Sequence, residues 1–306
     1  MTQNVPLILK LISSCIPIAN RAGKIIQDVM KKGELHIVEK GVQDFQTEAD
    51  RLAQQFISIS LSRQFPCITI IGEEDDNGEE FHVDFETNEY DQSVLEKKCP
   101  DELKDIVENQ ITVWVDPLDG TSEYTQGLLE HVTVLIGIAV NKKAVAGVIH
   151  QPYYGYKERN DCGRTIWGLS GLGSFGYIPN DLPSDRCILT TTRSHSTGLV
   201  QEAIDSIKAD EVIRVGGAGH KVLLLLEGIA HAYVFASKGS KRWDTCAPEA
   251  VLQAAGGLLT DISGNFYSYD KNTNYQNTNG VLATAKKEDH CRYLNLLPDS
   301  IKQSLK

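Results

Sequence analysis

One stretch limits what this chain can become more than any other. The run Ile111-Thr112-Val113-Trp114-Val115 has the apolar, β-branched character of a buried strand, and it delivers Asp116-Pro117-Leu118-Asp119-Gly120-Thr121 at its end. Pro117 and Gly120 predict a turn there. Two carboxylates three residues apart would then project from a rigid strand end, where they can hold a hard cation through oxygen atoms. Glu73-Glu74, after an expected strand at 68–71, and Trp243-Asp244, at the start of an expected helix, have similar settings. Together these stations suggest a carboxylate cage for Mg²⁺ and, with it, phosphate chemistry.

Helices and strands are expected on either side of that stretch. Apolar residues recur at helical spacing from Leu7 to Val29 and predict a helix that Pro17 kinks, or splits near Cys15, and that Gly33 ends. A short strand is expected at 35–38. Thr47 or Asp44 caps a second helix reaching about Phe65, with Asp50 in its first turn, where the helix dipole favours an anion. Residues 75–101 are acidic, polar and aperiodic, which predicts a partly ordered surface excursion. Segments 132–140 and 144–150 predict a hairpin turning at Asn141-Lys142-Lys143. Glycines are dense from 163 to 176. Strands are then expected at 187–190, 212–215, 231–236, 257–261 and 280–284, with helices at 199–207, 221–228 and 244–255. Mixed elements in both halves imply an α/β (α+β mixed) fold in two lobes, 1–155 and 156–306.

Charge and cysteine content exclude several function classes. A net charge of −11 repels nucleic acid and anionic membrane surfaces. An anionic substrate would need bound cations or a local basic patch to offset that field. The seven cysteines are odd in number and have no Cys-x-x-Cys spacing, which argues against a disulfide framework and a zinc site. The longest apolar run, 132–140, falls far short of the roughly 20 residues a membrane helix needs. No basic region precedes the apolar stretch at 5–11, and Lys10 interrupts it, so no signal peptide is expected. The expectation is a cytoplasmic protein with no nucleic-acid or membrane partner.

Asp50, Glu73, Asp116, Asp119 and Asp244 form one set, each at a strand end or in a helix's first turn, where ligands bind α/β sheets. Mg²⁺ takes octahedral oxygen ligands, and two such ions can clamp an in-line displacement. The Leu118 carbonyl offers another oxygen, Gly120 lets the backbone approach a phosphate, and Thr121 places a hydroxyl beside an attacking water. Plain structural roles stand as alternatives: Asp-Pro-x-Asp-Gly is first of all a turn, Glu73 a solvated acid, Asp244 an N-cap and Asp50 a dipole partner. Covalent aspartyl phosphatases of the haloacid dehalogenase type carry Asp-x-Asp-Gly-Thr, with the acids two apart. Here they are three apart with Pro117 between, which favours direct attack by water. No P-loop pattern and no Gly-x-Ser-x-Gly elbow occurs.

Gly72-Glu73-Glu74-Asp75, the Trp114 to Thr121 run and Trp243-Asp244-Thr245-Cys246-Ala247-Pro248-Glu249 resemble the three signature motifs of the lithium-sensitive, Mg²⁺-dependent phosphatases related to inositol monophosphatase. The resemblance covers nearly the whole chain. Thr190 to Ser196 and Arg214 to Gly219 are most similar to the branch that acts on nucleotide bisphosphates. Position 122 is Ser where many relatives carry Lys.

The resemblance implies a five-layer αβαβα sandwich. It implies metal ligation by Glu73, Asp116, Asp119, Asp244 and the Leu118 carbonyl, for two or three Mg²⁺ ions, with Li⁺ as inhibitor. Asp50 and Thr121 would orient the water and take its proton. Gly120, Thr121, Thr192, His195, Gly217, Lys221 and Asp244 would contact substrate. That substrate would be a small nucleotide bisphosphate: the 3′-phosphate of adenosine 3′,5′-bisphosphate would be released to leave AMP, with the sulfated nucleotide and inositol 1,4-bisphosphate also accepted. Two alternatives remain, an inositol monophosphate phosphatase and a catalytically silent nucleotide or metal sensor. Monomer and homodimer fit equally.

Overall fold

The computed structural model describes residues 5–41, 44–74, 87–159, 161–194 and 197–305. Helix α1 (Leu7–Lys32) is continuous and closes on Gly33 in the left-handed region, φ 81°. The helix is not split near Cys15. Proline has no N–H for the Ser13 carbonyl, and that carbonyl accepts the Asp91 N–H instead, at 2.9 Å. Strands β1 (Val38–Gly41) and β2 (Asp44–Gln46) pair antiparallel, so the strand expected at 35–38 begins where that one was to end. Helix α2 (Glu48–Gln64) starts after Thr47, and β3 (Thr69–Gly72) follows.

Of the expected surface excursion, residues 75–86 lie outside the described residues. Residues 87–101 are not a loose excursion but pack on α1 through α3 (Gln92–Leu95), with Val94 and Cys99 buried. Gln64 Nε2 donates to the Thr87 carbonyl at 2.7 Å. The chain then forms β4 (Ile111–Asp119), the short α4 (Thr121–Thr125), β5 (Thr133–Val140), β6 (Lys143–Gln151), β7 (Arg164–Leu169) and β8 (Gly173–Phe175). Asn141 (φ 48°) and Lys142 (φ 74°) make the two-residue hairpin loop between β5 and β6. One sheet has the order β3-β4-β5-β6-β7-β8, parallel only between β3 and β4, and extends past residue 155 to Phe175.

Next come β9 (Ile188–Thr192), α5 (Gly198–Ile207), β10 (Glu211–Val215), α6 (Ala218–Leu226), β11 (Ala232–Phe235), β12 (Ser240–Lys241), α7 (Arg242–Ala254), β13 (Leu258–Thr260), β14 (Gln276–Asn277), β15 (Val281–Thr284), α8 (Lys287–Leu296) and α9 (Asp299–Ser304). A second sheet has the order β10-β9-β11-β15-β13.

Strand alternation sorts the core into layers. Val113 and Val115 join α1 and α2 on one face of the first sheet, while Trp114 and Leu135 face α6 and α7 on the other. The same two helices cover the inner face of the second sheet through Tyr233, Leu259 and Val281. Leu189, Val234 and Leu282 meet α5, α8 and α9 outside. The result is the five-layer α-β-α-β-α order.

A row of glycines seats α7. Gly137, Gly147 and Gly168 are register partners across β5, β6 and β7. A Cβ on them would lie 2.5 Å from Cys246 Cβ, 2.6 Å from the Ala247 carbonyl oxygen and 2.9 Å from Val251 Cα. The bare trough lets the helix sink onto the sheet and fixes where its first turn, with Asp244, ends up.

Candidate active site

The Asp116 to Asp119 stretch is not a free turn. β4 runs through it and stays paired with β5, Asp116 opposite Leu135 and Asp119 opposite Thr133. Pro117 and Leu118 therefore share the space opposite Val134, a bulge in which Pro117's missing N–H costs no ladder bond. The chain leaves the strand at Gly120 (φ 91°), which permits the turn into α4. The Asp116 side chain is held from behind by the Leu118 N–H, 3.1 Å from Oδ1.

Three carboxylates converge. Oxygen atoms of Glu73, Asp116 and Asp244 lie within 4.8 Å of one another. Glu73 follows β3, its N–H bonded to the Val115 carbonyl at 3.0 Å. Asp244 is the third residue of α7, with Oδ2 accepting the Lys241 N–H at 2.7 Å. Burial, then the negative charge of Glu73 and its neighbours, pushes Asp116 well above the ordinary carboxylate range and Asp244 up to about 7. A buried cluster of like charges is unfavourable until positive charge enters it. Lys241 and Lys40, with Nζ 3.5 Å and 3.7 Å from Glu73, supply some from the rim. The donor set, all oxygen and largely carboxylate, fits a hard divalent cation.

Two further acids beside this cluster also bond to the protein. Asp119 lines the same cavity, yet its carboxylate is engaged by the Ala218 N–H (2.7 Å), the Gly219 N–H (2.8 Å) and Thr133 Oγ1 (2.6 Å). It caps the start of α6 from β4 and so ties that helix to the first sheet. Glu74 is buried beside Glu73 but turns to Lys40, at 2.9 and 3.0 Å, and to Gln46.

Asp50 and Thr121 meet as the sequence predicts, with Thr121 Oγ1 3.0 Å from Asp50 Oδ1 and 3.0 Å from the Leu118 carbonyl. The other Asp50 oxygen takes the Thr47 N–H at 2.7 Å and its hydroxyl at 2.5 Å. Burial outweighs these donors and raises Asp50 to about 7.

The cavity has a volume of about 360 Å³. Gly120, Thr121, Thr192, Gly217, Lys221 and Asp244 all line it, whereas His195 lies outside the described residues. Gly217 (φ 69°) passes so close that a Cβ would sit 2.6 Å from the His131 carbonyl oxygen. Lys221 is buried, donates to the Gly217 carbonyl at 2.8 Å, and has its pKa lowered by burial against the opposing pull of Asp119 and Glu123. Sequence reasoning missed Glu123, Lys238, Lys241 and the aromatic side chains of Phe45, Tyr233 and Phe235, which share the cavity. Lys238 and Lys241, just before Trp243-Asp244, were a readable signal; Phe45 carried none.

Five layers enclosing this carboxylate cluster define the class: the chain belongs to the inositol monophosphatase family, whose pattern matches residues 10–302. The family generally uses Mg²⁺ as cofactor. Among its relatives, the human (Homo sapiens) 3′(2′),5′-bisphosphate nucleotidase 1 is 50% identical, over 100% of this chain and 99% of the relative. The rat (Rattus norvegicus) protein of the same name is 48% identical over the same shares. The fold is also that of the extragenic suppressor protein suhB from Bartonella henselae, with a TM-score of 0.69, 22% identity and coverage of 94% and 97% of the two chains.

Proposed function

We propose that the chain is a phosphomonoesterase that removes the 3′-phosphate of adenosine 3′,5′-bisphosphate, giving AMP and phosphate. The observation that carries this reading is the convergence of Glu73, Asp116 and Asp244 within 4.8 Å in the cavity that Thr121 also lines. End-to-end identity of 50% with a bisphosphate nucleotidase supports the choice of substrate. The sulfated nucleotide and inositol 1,4-bisphosphate are proposed as further substrates.

Glu73, Asp116 and Asp244, with the Leu118 carbonyl and Asp119, would hold two or three Mg²⁺ ions. When bound, Mg²⁺ neutralises phosphate charge and makes water more acidic. Thr121 Oγ1 holds the attacking water by accepting its proton as it passes its own to Asp50 Oδ1. Thr47 fixes the other Asp50 oxygen, so the receiving one faces Thr121. The water oxygen bonds to phosphorus as the bond to the ribose 3′-oxygen breaks, and that oxygen leaves with a proton from solvent. Lys221, with Thr192 and Gly217, would bind the rest of the nucleotide, joined by His195.

The test is phosphate release from adenosine 3′,5′-bisphosphate and from inositol 1-phosphate, with Mg²⁺, with EDTA and with Li⁺. Release from the nucleotide that EDTA abolishes and Li⁺ inhibits is expected. Preference for inositol 1-phosphate would overturn the substrate, and release undiminished by EDTA would overturn the metal site.

A further inference from the structure

The carboxylates of the site ride on elements far apart in sequence, so their spacing depends on what ties β4, the carrier of Asp116, to α7, the carrier of Asp244. Segment 267–277 lies against both. Tyr269, in that segment, is fully buried. Its main-chain carbonyl accepts the indole N–H of Trp114 at 3.3 Å, two residues before Asp116. Its hydroxyl donates to Glu249 at 2.6 Å and lies 3.2 Å from the hydroxyl of Thr245, the residue after Asp244. Asn277, at the other end of the segment, donates to the Lys241 carbonyl at 2.8 Å and lies 3.2 Å from the same Thr245 hydroxyl. The Trp114 ring meets Trp243 and Tyr269, both at centroid distances of 6.4 Å, the second edge-on.

Glu249 does not line the cavity. Its partners are the Tyr269 hydroxyl and Gln253 Nε2, the latter at 3.0 Å. A core carboxyl of this kind demands a donor. That demand keeps the Tyr269 hydroxyl where Thr245 can use it.

We propose that Tyr269 is a positioning residue for the cation site, setting the distance between Asp116 and Asp244 by bonding Trp114 with its main chain and bracing Thr245 with its hydroxyl. The inference rests on the cation-site reading above. Partners that orient metal-ligating groups change metal affinity by roughly 10- to 100-fold when removed. The hydroxyl acts here through Thr245, so the low end applies.

The experiment is calorimetric titration of Mg²⁺ alone into the metal-free protein, for wild type, Tyr269→Phe and Thr245→Val. Tyr269→Phe keeps the ring and the Trp114 bond and loses only the hydroxyl. Its Mg²⁺ Kd is expected to rise about tenfold. The Mg²⁺ concentration for half-maximal activity should rise by the same factor, with KM for the nucleotide unchanged at saturating Mg²⁺. Thr245→Val should weaken Mg²⁺ similarly, and it carries the test if Tyr269→Phe fails to fold. Wild-type Mg²⁺ affinity in the variants, even with a lowered Tm, makes Tyr269 a packing residue and overturns the inference alone. No Mg²⁺ binding by wild type overturns the cation site and the inference with it.

Discussion

Glu73 and Glu74 are adjacent acids at the end of one strand, and the fold uses them in opposite ways. Glu74 is buried, and its carboxylate takes donors from Lys40 and Gln46. Glu73 faces Asp116 and Asp244 across less than 5 Å, with Lys241 and Lys40 at the long range of an ion pair. Asp119 stands between the two, lining the cavity while its oxygens also take the N–H groups at the start of α6. The lesson is that donor supply distinguishes an acid that builds the scaffold from one that awaits a cation. A carboxylate surrounded by N–H groups is already paid for, whereas one surrounded by carboxylates needs a charge from outside.

The largest effect that could break this comparison is at Asp244. Asp244→Asn should lower turnover by at least about 10³-fold, the scale of several kcal/mol of lost charge stabilisation. The metal-free variant should nevertheless be at least as stable as wild type, because a repelling charge is gone. A fall in its thermal midpoint would show the cluster to be structural. Next is Thr121→Ala, for which kcat should fall about 10²- to 10⁴-fold with Mg²⁺ affinity kept, as measured by kinetics beside calorimetry. Glu74→Ala should act on stability instead, lowering the unfolding free energy by about 1–3 kcal/mol in denaturant titrations.

The smallest effect is the pH dependence of the metal-free protein. Asp50 and Asp244 stand near 7 in the folded chain, above the ordinary value of 3.8. The native state therefore binds more protons than the unfolded one between those values. The stability these groups contribute is fully present below about 3.8 and is lost as pH rises through about 7. The gain in Tm on adding Mg²⁺, which needs ionised carboxylates, should accordingly grow from about pH 6 to about pH 8. A gain that shrinks over that range would contradict the assignment of the raised acids to the cation site.

The acids of the site were legible because each sits at an element end, and element ends follow from apolar periodicity. Glu73, Asp116 and Asp244 come together from the strand and helix ends that carry them, and Asp50 meets Thr121 as the resemblance implied. What the sequence could not show depended on partners far along the chain. Pro17 looks like a helix breaker until Asp91 takes up the Ser13 carbonyl. Asp-Pro-Leu-Asp looks like a turn until β5 pairs across it. Gly137, Gly147 and Gly168 form a trough only once β5, β6 and β7 are in register. Nothing in Glu73-Glu74 says which acid faces the cavity, since that is decided by Lys40 and Gln46 on the preceding hairpin.

The most direct test is calorimetric Mg²⁺ binding to wild type, Asp244→Asn and Glu74→Gln side by side. Binding by wild type and Glu74→Gln, with binding lost in Asp244→Asn, is the predicted result. Full binding by Asp244→Asn, or loss confined to Glu74→Gln, would contradict the account.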